Sequence, residues 1–277
     1  MMQLKEQFAR DGFVVIENAF DADTLALVRA AADDIIGDFD IDKHRTVFRT
    51  DDNDSGRDEY FFQSAQNASC FLEAGALDHR GELVKPKHLA INKIGHGMHD
   101  VDERVATFCR HEVIQNALRA LDWRDPIVQQ TKYIFNQPGI GGEVRWHQDG
   151  SYLMSDGRGV LGMWVALEDA NTANGCLWMQ PGAHTTPLRE RYTVDWQSGE
   201  ATLTTLDETP WEHSEAVAVE VPAGTLVLFS DHMPHYSATN RSAASRHAFT
   251  MHIRESSDHW NPANWLQRHG EEFRVYR

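Results

Sequence analysis

The sequence contains few cysteines and few basic residues. Only three cysteines occur in 277 residues, far apart from one another, so neither a disulfide framework nor a zinc knuckle is indicated. Lysine and arginine together number 26, against 42 aspartate and glutamate residues, which gives a formal charge of −16. Nucleic-acid binding depends on basic residues that neutralise phosphates, so this balance argues against a nucleic-acid partner. It also weakens the case for binding to a membrane surface.

Long apolar runs are absent as well. No stretch of about 18 or more apolar residues occurs, so no membrane-spanning helix is expected. The N-terminal stretch "MMQLKEQFARDGF" lacks the apolar segment of a signal peptide. Together with the scarce cysteines, this predicts a cytoplasmic location. The remaining composition, 41% hydrophobic and 25% charged residues, is typical of a globular chain with a sizeable core.

Helical patterns dominate the first part of the chain. "MQLKEQFARDGFVVIENAF" predicts a short helix and then a strand around Phe13–Ile16. "FDADTLALVRAAADDII" predicts an amphipathic helix with Asp21 as its N-cap. The apolar face of that helix consists of Leu25, Val28, Ala32 and Ile35. A further single helix is predicted from Val101 to Leu121.

Short β-rich segments follow, separated by turn residues. They include "IVQQTKYIFNQPG", "GVLGMWVALEDA", "EAVAVEVPAG", "GTLVLFS" and "RHAFTMHI". This spacing favours a closed or two-sheet antiparallel architecture, so we predict an α+β fold with a β-barrel core. Residues 1–277 are expected to form one domain, with a helical support at about 1–125, the barrel at about 126–255 and an extension at 256–277.

Two polar segments interrupt these patterns. "DDNDSG", from Asp51 to Gly56, fits the first half of a calcium-binding loop, but Phe62 stands where the twelfth-position carboxylate is needed. We therefore interpret it as a solvated acidic loop. The stretch from His184 to Glu215 shows little periodicity, and a connection of that length is typical of a lid, a binding loop or disorder.

The stretch "VRWHQDGSYL" places His147 two residues before Asp149. In a strand, residues i and i+2 point to the same face, so the pair would present an imidazole and a carboxylate side by side. Two histidines and one carboxylate on one side of a metal leave its other positions open, as in non-heme Fe(II) oxygenases. A second histidine from a distant strand is required, because the pair alone is a common pattern.

The second histidine is expected in "FSDHMPHYSATNRSAASRHAFTMHI". His235 follows the apolar strand "GTLVLF", and Arg246 comes eleven residues later, where its guanidinium can pair with a carboxylate. Ser237 offers a hydroxyl to the same carboxylate. His232 is a competing ligand, but the spacing to the serine and the arginine favours His235.

Three motifs in order resemble the phytanoyl-CoA dioxygenase family. They are the H-x-D pair at 147–149, "WVALEDANTANGCLWMQPGAH" at 164–184 and "HYSATNRSAASR" at 235–246. The match runs from "FARDGFVVIENAF" to "NPANWLQ", which covers nearly the whole chain, and the internal phrases resemble in particular the subgroup of phytanoyl-CoA dioxygenase domain-containing protein 1. The resemblance implies a double-stranded β-helix, a cupin-like jelly roll, with flanking N-terminal helices.

The resemblance also implies roles for individual residues. Fe(II) is expected on His147, Asp149 and His235, and the distal carboxylate of the co-substrate 2-oxoglutarate on Arg246 and Ser237. Further pocket residues are expected at Trp164, Lys93, Gln148 and Tyr133.

Each role has a structural alternative that the sequence leaves open. The H-x-D pair could be a surface pair and His235 an ordinary turn histidine. Arg246 could serve a structural ion pair, Trp164 could fill the core, and Lys93 could be solvated.

The activity that the resemblance implies is a dioxygenation that consumes O2 and 2-oxoglutarate and yields succinate, CO2 and a hydroxylated small or medium-sized substrate. The segment from His184 to Glu215 has more acids than arginines and no lysine, so we expect a mostly apolar or weakly charged substrate and not an acyl-CoA. The alternatives are a cupin-like metal-dependent hydrolase or isomerase, and a catalytically silent small-molecule-binding barrel. The oligomeric state stays open.

Overall fold

A computed structural model of the chain describes residues 2–48, 58–211 and 213–276. The predicted acidic loop Asp51–Gly56 lies outside these residues, as does Glu212. The α-helices in the described residues are α1 (Met2–Asp11), α2 (Ala22–Asp38), α3 (Glu59–Gln63), α4 (Lys87–Ala90), α5 (Met98–Val101), α6 (Glu103–Cys109) and α7 (Glu112–Ala120). The strands are β1 (Phe13–Ile16), β2 (Ala68–Leu72), β3 (Ile91–His96), β4 (Pro126–Ile134), β5 (Val144–His147), β6 (Ser155–Asp156), β7 (Val160–Ala166), β8 (Leu177–Met179), β9 (Glu190–Asp195), β10 (Glu200–Thr205), β11 (Val217–Val219), β12 (Leu226–Ser230), β13 (His235–Ser237), β14 (Ala248–Glu255) and β15 (His259–Trp260).

The start of α2 follows from its sequence. The Asp21 carboxylate accepts a hydrogen bond from the Thr24 amide at 2.8 Å, which confirms the predicted N-cap. The apolar face is buried as predicted, except that Ile35 is only partly buried. Ala31 and Ile36 complete the buried set.

The prediction of one helix from Val101 to Leu121 is wrong, because Val101 ends α5 and side-chain caps divide the rest of this region into two short helices, α6 and α7. The Asp102 carboxylate accepts from the Arg104 amide at 2.8 Å and starts α6. His111 Nδ1 accepts from the Val113 amide at 3.3 Å and starts α7. Each cap satisfies amide groups that a continuous helix would have bonded to the preceding turn.

Two antiparallel sheets form the centre of the molecule, in agreement with the predicted α+β class. The larger has seven strands in the order β1-β12-β7-β14-β4-β3-β2, and the smaller has four in the order β11-β8-β13-β5. Three strands of the larger sheet, β1, β2 and β3, come from the first 125 residues, where the sequence pattern predicted mainly helical support.

Alternation along the larger sheet divides its side chains between two faces. One face packs against the helices in the main apolar cluster, which includes Val14, Met163, Val165, Met251, Leu25 and Val28. The other face packs against the smaller sheet in a second cluster, which includes Trp164, Val227, Phe229, Leu177 and Met179. Burial of such side chains stabilises the fold by about 1.5–3 kcal/mol each. The space between the sheets is therefore lined by the second of these faces.

The segment from His184 to Glu215 contains an ordered β-hairpin in its described residues. Strands β9 and β10 are antiparallel: Glu190 lies opposite Thr205 at one end of the pair, and Asp195 lies opposite Glu200 at the other. Tyr192 and Val194 are buried in a third apolar cluster. This part of the chain therefore packs an apolar face of its own against residues of the larger sheet such as Phe71 and Val160.

None of the helices in the described part of the chain is long and apolar enough to cross a lipid bilayer.

Candidate metal centre

The two predicted histidine ligands come together through the pairing of β5 with β13. His147 at the end of β5 lies directly opposite His235 at the start of β13, and their ring centroids are 4.1 Å apart. Both strands belong to the smaller sheet, and His147 and His235 both face its interior side. Residues 88 positions apart in the chain are thus neighbours because of strand register.

Asp149 reaches the same point from a turn and not from a strand. Strand β5 ends at His147, and Asp149 opens a short 3-10 turn in which its carbonyl accepts from the Tyr152 and Leu153 amides. The expectation that both ligands lie on one strand is therefore wrong for Asp149. Its Oδ1 nevertheless lies 3.7 Å from His147 Nε2 and 3.9 Å from His235 Nε2. One ligand atom from each residue falls within 4.8 Å of the others.

Hydrogen bonds fix both histidines in the form that binds a metal. His147 Nδ1 lies 2.8 Å from the Arg145 carbonyl, and His235 Nδ1 lies 3.0 Å from the Met233 carbonyl. A carbonyl only accepts, so each Nδ1 donates and each Nε2 keeps its lone pair. Burial, aided by the neighbouring His235, lowers the pKa of His147 to about 3. His147 is therefore neutral near pH 7, as a metal ligand must be.

A third histidine holds the carboxylate. His252 Nε2 lies 2.8 Å from Asp149 Oδ2, so this oxygen is occupied and Oδ1 points to the two ligand histidines. Outer hydrogen bonds of this kind orient metal ligands. Burial alone would raise the pKa of Asp149, but His252, His235 and Lys132 together bring it well below its usual range. The carboxylate is therefore ionised.

Arg246 is buried without an acidic partner within ion-pair distance among the described residues. Its side chain is 2% exposed, its Nε donates to the Gly175 carbonyl at 3.0 Å and its Nη2 donates to Ser237 Oγ at 3.0 Å. Ser237 Oγ donates in turn to the same carbonyl at 2.8 Å. Nη1 is buried and has no hydrogen-bond partner. Arg246 and Ser237 are therefore neighbours, and the described residues include no ion pair to Arg246, which was the structural alternative. Their predicted binding of a co-substrate carboxylate stays a prediction.

Trp164 lies beside this arginine. The Arg246 guanidinium carbon is 5.6 Å from the centroid of the Trp164 ring. Trp164 is 3% exposed and also belongs to the apolar cluster between the sheets. It therefore fills the core, as its structural alternative proposed, and lies next to Arg246. Its contact with a co-substrate stays a prediction.

Tyr133 faces away from the triad, contrary to the prediction that it lines the pocket. It packs in the apolar cluster on the helical side of the larger sheet, and its hydroxyl hydrogen-bonds to His247 Nδ1 at 2.9 Å. Because side chains alternate along β4, the neighbouring Lys132 points to the inner face instead.

Gln148 is also misassigned as a pocket residue. Its Nε2 donates to the carbonyls of His232 at 2.9 Å and Pro187 at 3.2 Å, and its Oε1 accepts from the Arg189 amide at 3.1 Å. Gln148 stands between the candidate ligands His147 and Asp149 in the chain, but its side chain points away from them. Its amide instead fastens the chain that leads into β9.

Lys93 and His232 have defined places outside the triad. The Lys93 ammonium lies 3.2 Å from the centroid of the Phe48 ring, and the side chain is 6% exposed, so Lys93 is not solvated. Its role towards a co-substrate stays a prediction. His232 Nδ1 contacts the Thr186 carbonyl at 3.1 Å, and the cluster of potential ligands includes His235 and not His232.

Three inner-face residues were not predicted as part of the site. They are His252 and Thr250 on β14 and Lys132 on β4. Part of the signal was present in "RHAFTMHI", where Arg246, Thr250 and His252 share every second position of an otherwise buried strand. "IVQQTKYIF" contains four consecutive polar residues and therefore gives no such alternation. Choosing the inner face required the strand register, which the pattern alone does not supply.

Comparison with known proteins gives a consistent result at the level of sequence. Residues 8–248 match the family described as Phytanoyl-CoA dioxygenase (PhyH). A "Phytanoyl-CoA dioxygenase" of Arabidopsis thaliana is 37% identical over 263 residues, covering 94% of this chain and 91% of that protein. A "Phytanoyl-CoA dioxygenase domain-containing protein 1" of Rattus norvegicus is 37% identical over 273 residues, covering 96% and 94%.

Solved structures resemble the fold at lower identity. EctD from S. alaskensis, described with 2-oxoglutarate and 5-hydroxyectoine, has a TM-score of 0.65 at 20% identity and covers 98% of this chain and 84% of its own. The epimerase SnoN, described with Fe3+, alpha ketoglutarate and nogalamycin RO, has a TM-score of 0.64 at 15% identity and covers 94% and 86%. At these identities the likeness concerns the fold.

Proposed function

Because this chain belongs to the phytanoyl-CoA dioxygenase family, we propose that it is an Fe(II)- and 2-oxoglutarate-dependent dioxygenase that hydroxylates a small or medium-sized organic substrate. The resemblance predicted from its motifs is confirmed by those matches. The overall reaction would convert 2-oxoglutarate, O2 and a C–H group of the substrate into succinate, CO2 and a C–OH group.

The observation that carries the proposal is the buried Arg246 with its unpartnered Nη1. Two histidines and a carboxylate suit several metals and several reactions, so the triad alone does not select one. A buried guanidinium is costly unless an anion pairs with it, and its planar fork matches a carboxylate. A co-substrate with one carboxylate to chelate the metal and another to pair with Arg246 meets both needs.

The residues fit these groups. His147, Asp149 and His235 would hold Fe(II), since their donor set and neutral Nε2 atoms match its preference. Arg246 and Ser237 would hold the distal carboxylate of 2-oxoglutarate, with Trp164 as a wall. When bound, Fe(II) and 2-oxoglutarate supply the oxidant from O2.

The chain itself contributes orientation and exclusion of water. His252 keeps one oxygen of Asp149 occupied, which leaves the other for the metal. The ligand side chains are 17%, 9% and 8% exposed, for His147, Asp149 and His235, so little solvent reaches the reacting centre. We further propose that the two facing sheets form a double-stranded β-helix in a single domain over residues 1–277. The predicted cytoplasmic location stays a prediction.

Metal-dependent 2-oxoglutarate turnover separates this proposal from its alternatives. Purified protein stripped of metal is supplied with Fe(II), Zn(II) or no metal, and succinate is measured in air. We expect succinate with Fe(II) alone, since Zn(II) has no redox chemistry. A hydrolase or isomerase at the same triad would form none, and neither would a silent binding protein, so lack of succinate would reject the proposal.

Replacement of Arg246 tests the co-substrate site. Loss of one partner from a buried charge pair costs about 3–5 kcal/mol, so Arg246→Met should raise the KM for 2-oxoglutarate by roughly a hundredfold or more. Arg241→Met removes the same charge from an exposed position and serves as the matched control. Fe(II) affinity should be unchanged in both variants. An unchanged KM in Arg246→Met would remove this residue from the site.

A further inference from the structure

Lys132 points into the space between the sheets. It lies opposite Gly95 of β3 and Thr250 of β14 in the register of the larger sheet. A Cβ atom on Gly95 would lie 3.6 Å from Lys132 Cγ, so the lysine stem covers this glycine. The adjacent Tyr133 packs on the opposite, helical face. Strand alternation therefore fixes Lys132 on the same inner face as Trp164 and Thr250.

The ammonium group of Lys132 has no hydrogen bond or ion pair to any described residue. The side chain is partly buried, and burial lowers the pKa of Lys132, against which the charge of Asp149 acts. The neighbouring Thr250 Oγ1 is buried and also without a partner. Two inward polar groups on adjacent strands thus lack a protein partner, and the Thr250 hydroxyl, which is buried, needs one.

Lys132 lies towards the metal end of the space. Its neighbour Thr250 stands two residues before His252 on β14, so both face the same side of the sheet, and His252 contacts Asp149 at 2.8 Å. The charge of Lys132 also helps to lower the pKa values of His147, Asp149 and His252; burial lowers those of the two histidines and raises that of Asp149. Arg246 lies beyond Trp164: its guanidinium carbon is 5.6 Å from the Trp164 ring, and Trp164 is the neighbour of Thr250 on β7.

With Fe(II) and 2-oxoglutarate bound, the charges of the site balance without the charge of Lys132. This step rests on the proposed function. Two positive charges of Fe(II) and one of Arg246 balance one negative charge of Asp149 and two of 2-oxoglutarate. Lys93 lies against the ring of Phe48. A further ammonium in a site of low dielectric constant would then be uncompensated, and a singly charged anion would stabilise it.

We propose that Lys132 and Thr250 form a subsite for a carboxylate of the primary substrate, which would make the substrate a small organic acid. The ammonium supplies the charge and Thr250 Oγ1 a neutral donor, a combination that recognises one carboxylate. The subsite lies next to the triad, so the carboxylate would place the rest of the acid close to the metal. The primary substrate, which the sequence predicted to be mostly apolar or weakly charged, would then carry a single negative charge.

The test is binding of carboxylates to an inert form of the centre. The protein is loaded with Mn(II) and saturated with N-oxalylglycine, an unreactive analogue of 2-oxoglutarate. It is then titrated calorimetrically with straight-chain carboxylates from acetate to octanoate, and with the primary amide of each. We expect the best carboxylate to bind at least about tenfold more tightly than its amide, because an ammonium favours a charged partner.

Variants assign that preference to Lys132. Lys132→Met should abolish the preference, and Lys132→Arg should retain it. Lys43→Met, at a side chain that is 75% exposed, is the matched control and should behave as the wild type. Mn(II) affinity, measured in parallel, shows whether each variant is folded.

Several results would overturn the inference. One is equal binding of acids and amides, or no binding of any carboxylate. Another is that Lys132→Met weakens the binding of N-oxalylglycine as strongly as Arg246→Met does and leaves the preference for carboxylates intact. That result would place Lys132 in the co-substrate site. Failure of N-oxalylglycine to bind the Mn(II)-loaded wild type would instead contradict the proposed function itself, so the two failures are distinguishable.

Discussion

At the scale of single residues, the orientation of Asp149 depends on a histidine outside the triad. His252 Nε2 lies 2.8 Å from Asp149 Oδ2, and His252 is 2% exposed. Loss of an outer hydrogen bond of this kind commonly lowers metal affinity by about 10- to 100-fold. We therefore expect His252→Ala to weaken Mn(II) binding by that factor, measured by competition with a chelator of known affinity.

The matched control is His259→Ala, which removes an exposed histidine from strand β15. His252→Gln offers an amide donor to Asp149 and should recover part of the lost affinity, a result that a general loss of stability would not give. Unchanged affinity in His252→Ala would show that Asp149 does not need this contact.

The residues of the candidate site differ in how well the sequence predicted them. His147, Asp149 and His235 followed from motif spacing, which is a property of the chain. Tyr133 and Lys132 are neighbours on one strand, and only its register decides which of them faces inward. A slip of one residue reverses the two faces, and no local pattern in a largely buried strand excludes that slip.

At the scale of elements, a partly exposed ion pair connects β9 to β5, the strand that carries His147. Arg145 donates to both carboxylate oxygens of Glu190, at 3.0 Å and 2.8 Å, and the side chains are 33% and 23% exposed. A partly exposed pair is worth about 0.2–1 kcal/mol. Glu190→Gln should therefore speed hydrogen exchange of the β9 amides by up to roughly fivefold.

Glu200→Gln, on the exposed partner strand β10, makes the same change without a buried partner and should leave exchange in β9 unaltered. Equal rates in the two variants would mean that the apolar contacts of Tyr192 and Val194 alone hold the hairpin.

Elements were predicted well where the pattern was local. The helix after Asp21 has an N-cap and a long apolar face, and both are sequence properties. The division of Val101–Leu121 depends on which side-chain caps form, and Asp102 and His111 carry no signal that separates a cap from a surface residue. The hairpin at Glu190–Thr205 was missed because its alternation is short and lies among polar residues.

At the scale of the whole molecule, the class of fold follows from the order of helical and strand patterns, but the sheet order does not. Strand β1 pairs with β12, more than two hundred residues away, and β2 and β3 extend the far edge of the same sheet. Pairing over such distances depends on the packing of the complete chain and leaves no local pattern in the sequence. The sequence therefore predicted a mainly helical support for the first 125 residues and not the strands that they add to the larger sheet.

The buried histidines make the metal-free protein sensitive to acid. Burial lowers the pKa of His99 well below its usual range and that of His147 to about 3. Between about pH 6.5, where an unfolded histidine titrates, and these lower values, only the unfolded chain takes up the protons. The free energy of unfolding should therefore fall as the pH falls, by up to about 1.4 kcal/mol per pH unit for each histidine. Glu73 and Asp231, whose pKa values burial raises, act in the opposite direction.

Denaturant unfolding of metal-free protein at pH 7, 6 and 5 measures this trend. His99→Phe keeps an aromatic ring beside Phe273 and removes one titrating group, so its stability should depend less steeply on pH than that of the wild type. Identical slopes would show that His99 is protonated in the folded protein as readily as in the unfolded one.

The central claim, that these three residues form an Fe(II) and 2-oxoglutarate site, is tested most directly by anaerobic binding. The wild type, His147→Ala, His235→Ala and His232→Ala are each titrated with Fe(II) and then with 2-oxoglutarate. We predict that the wild type and His232→Ala each bind one equivalent of Fe(II) and one equivalent of 2-oxoglutarate. The other two variants should bind neither. Full binding of Fe(II) and 2-oxoglutarate by His147→Ala or His235→Ala would contradict the account.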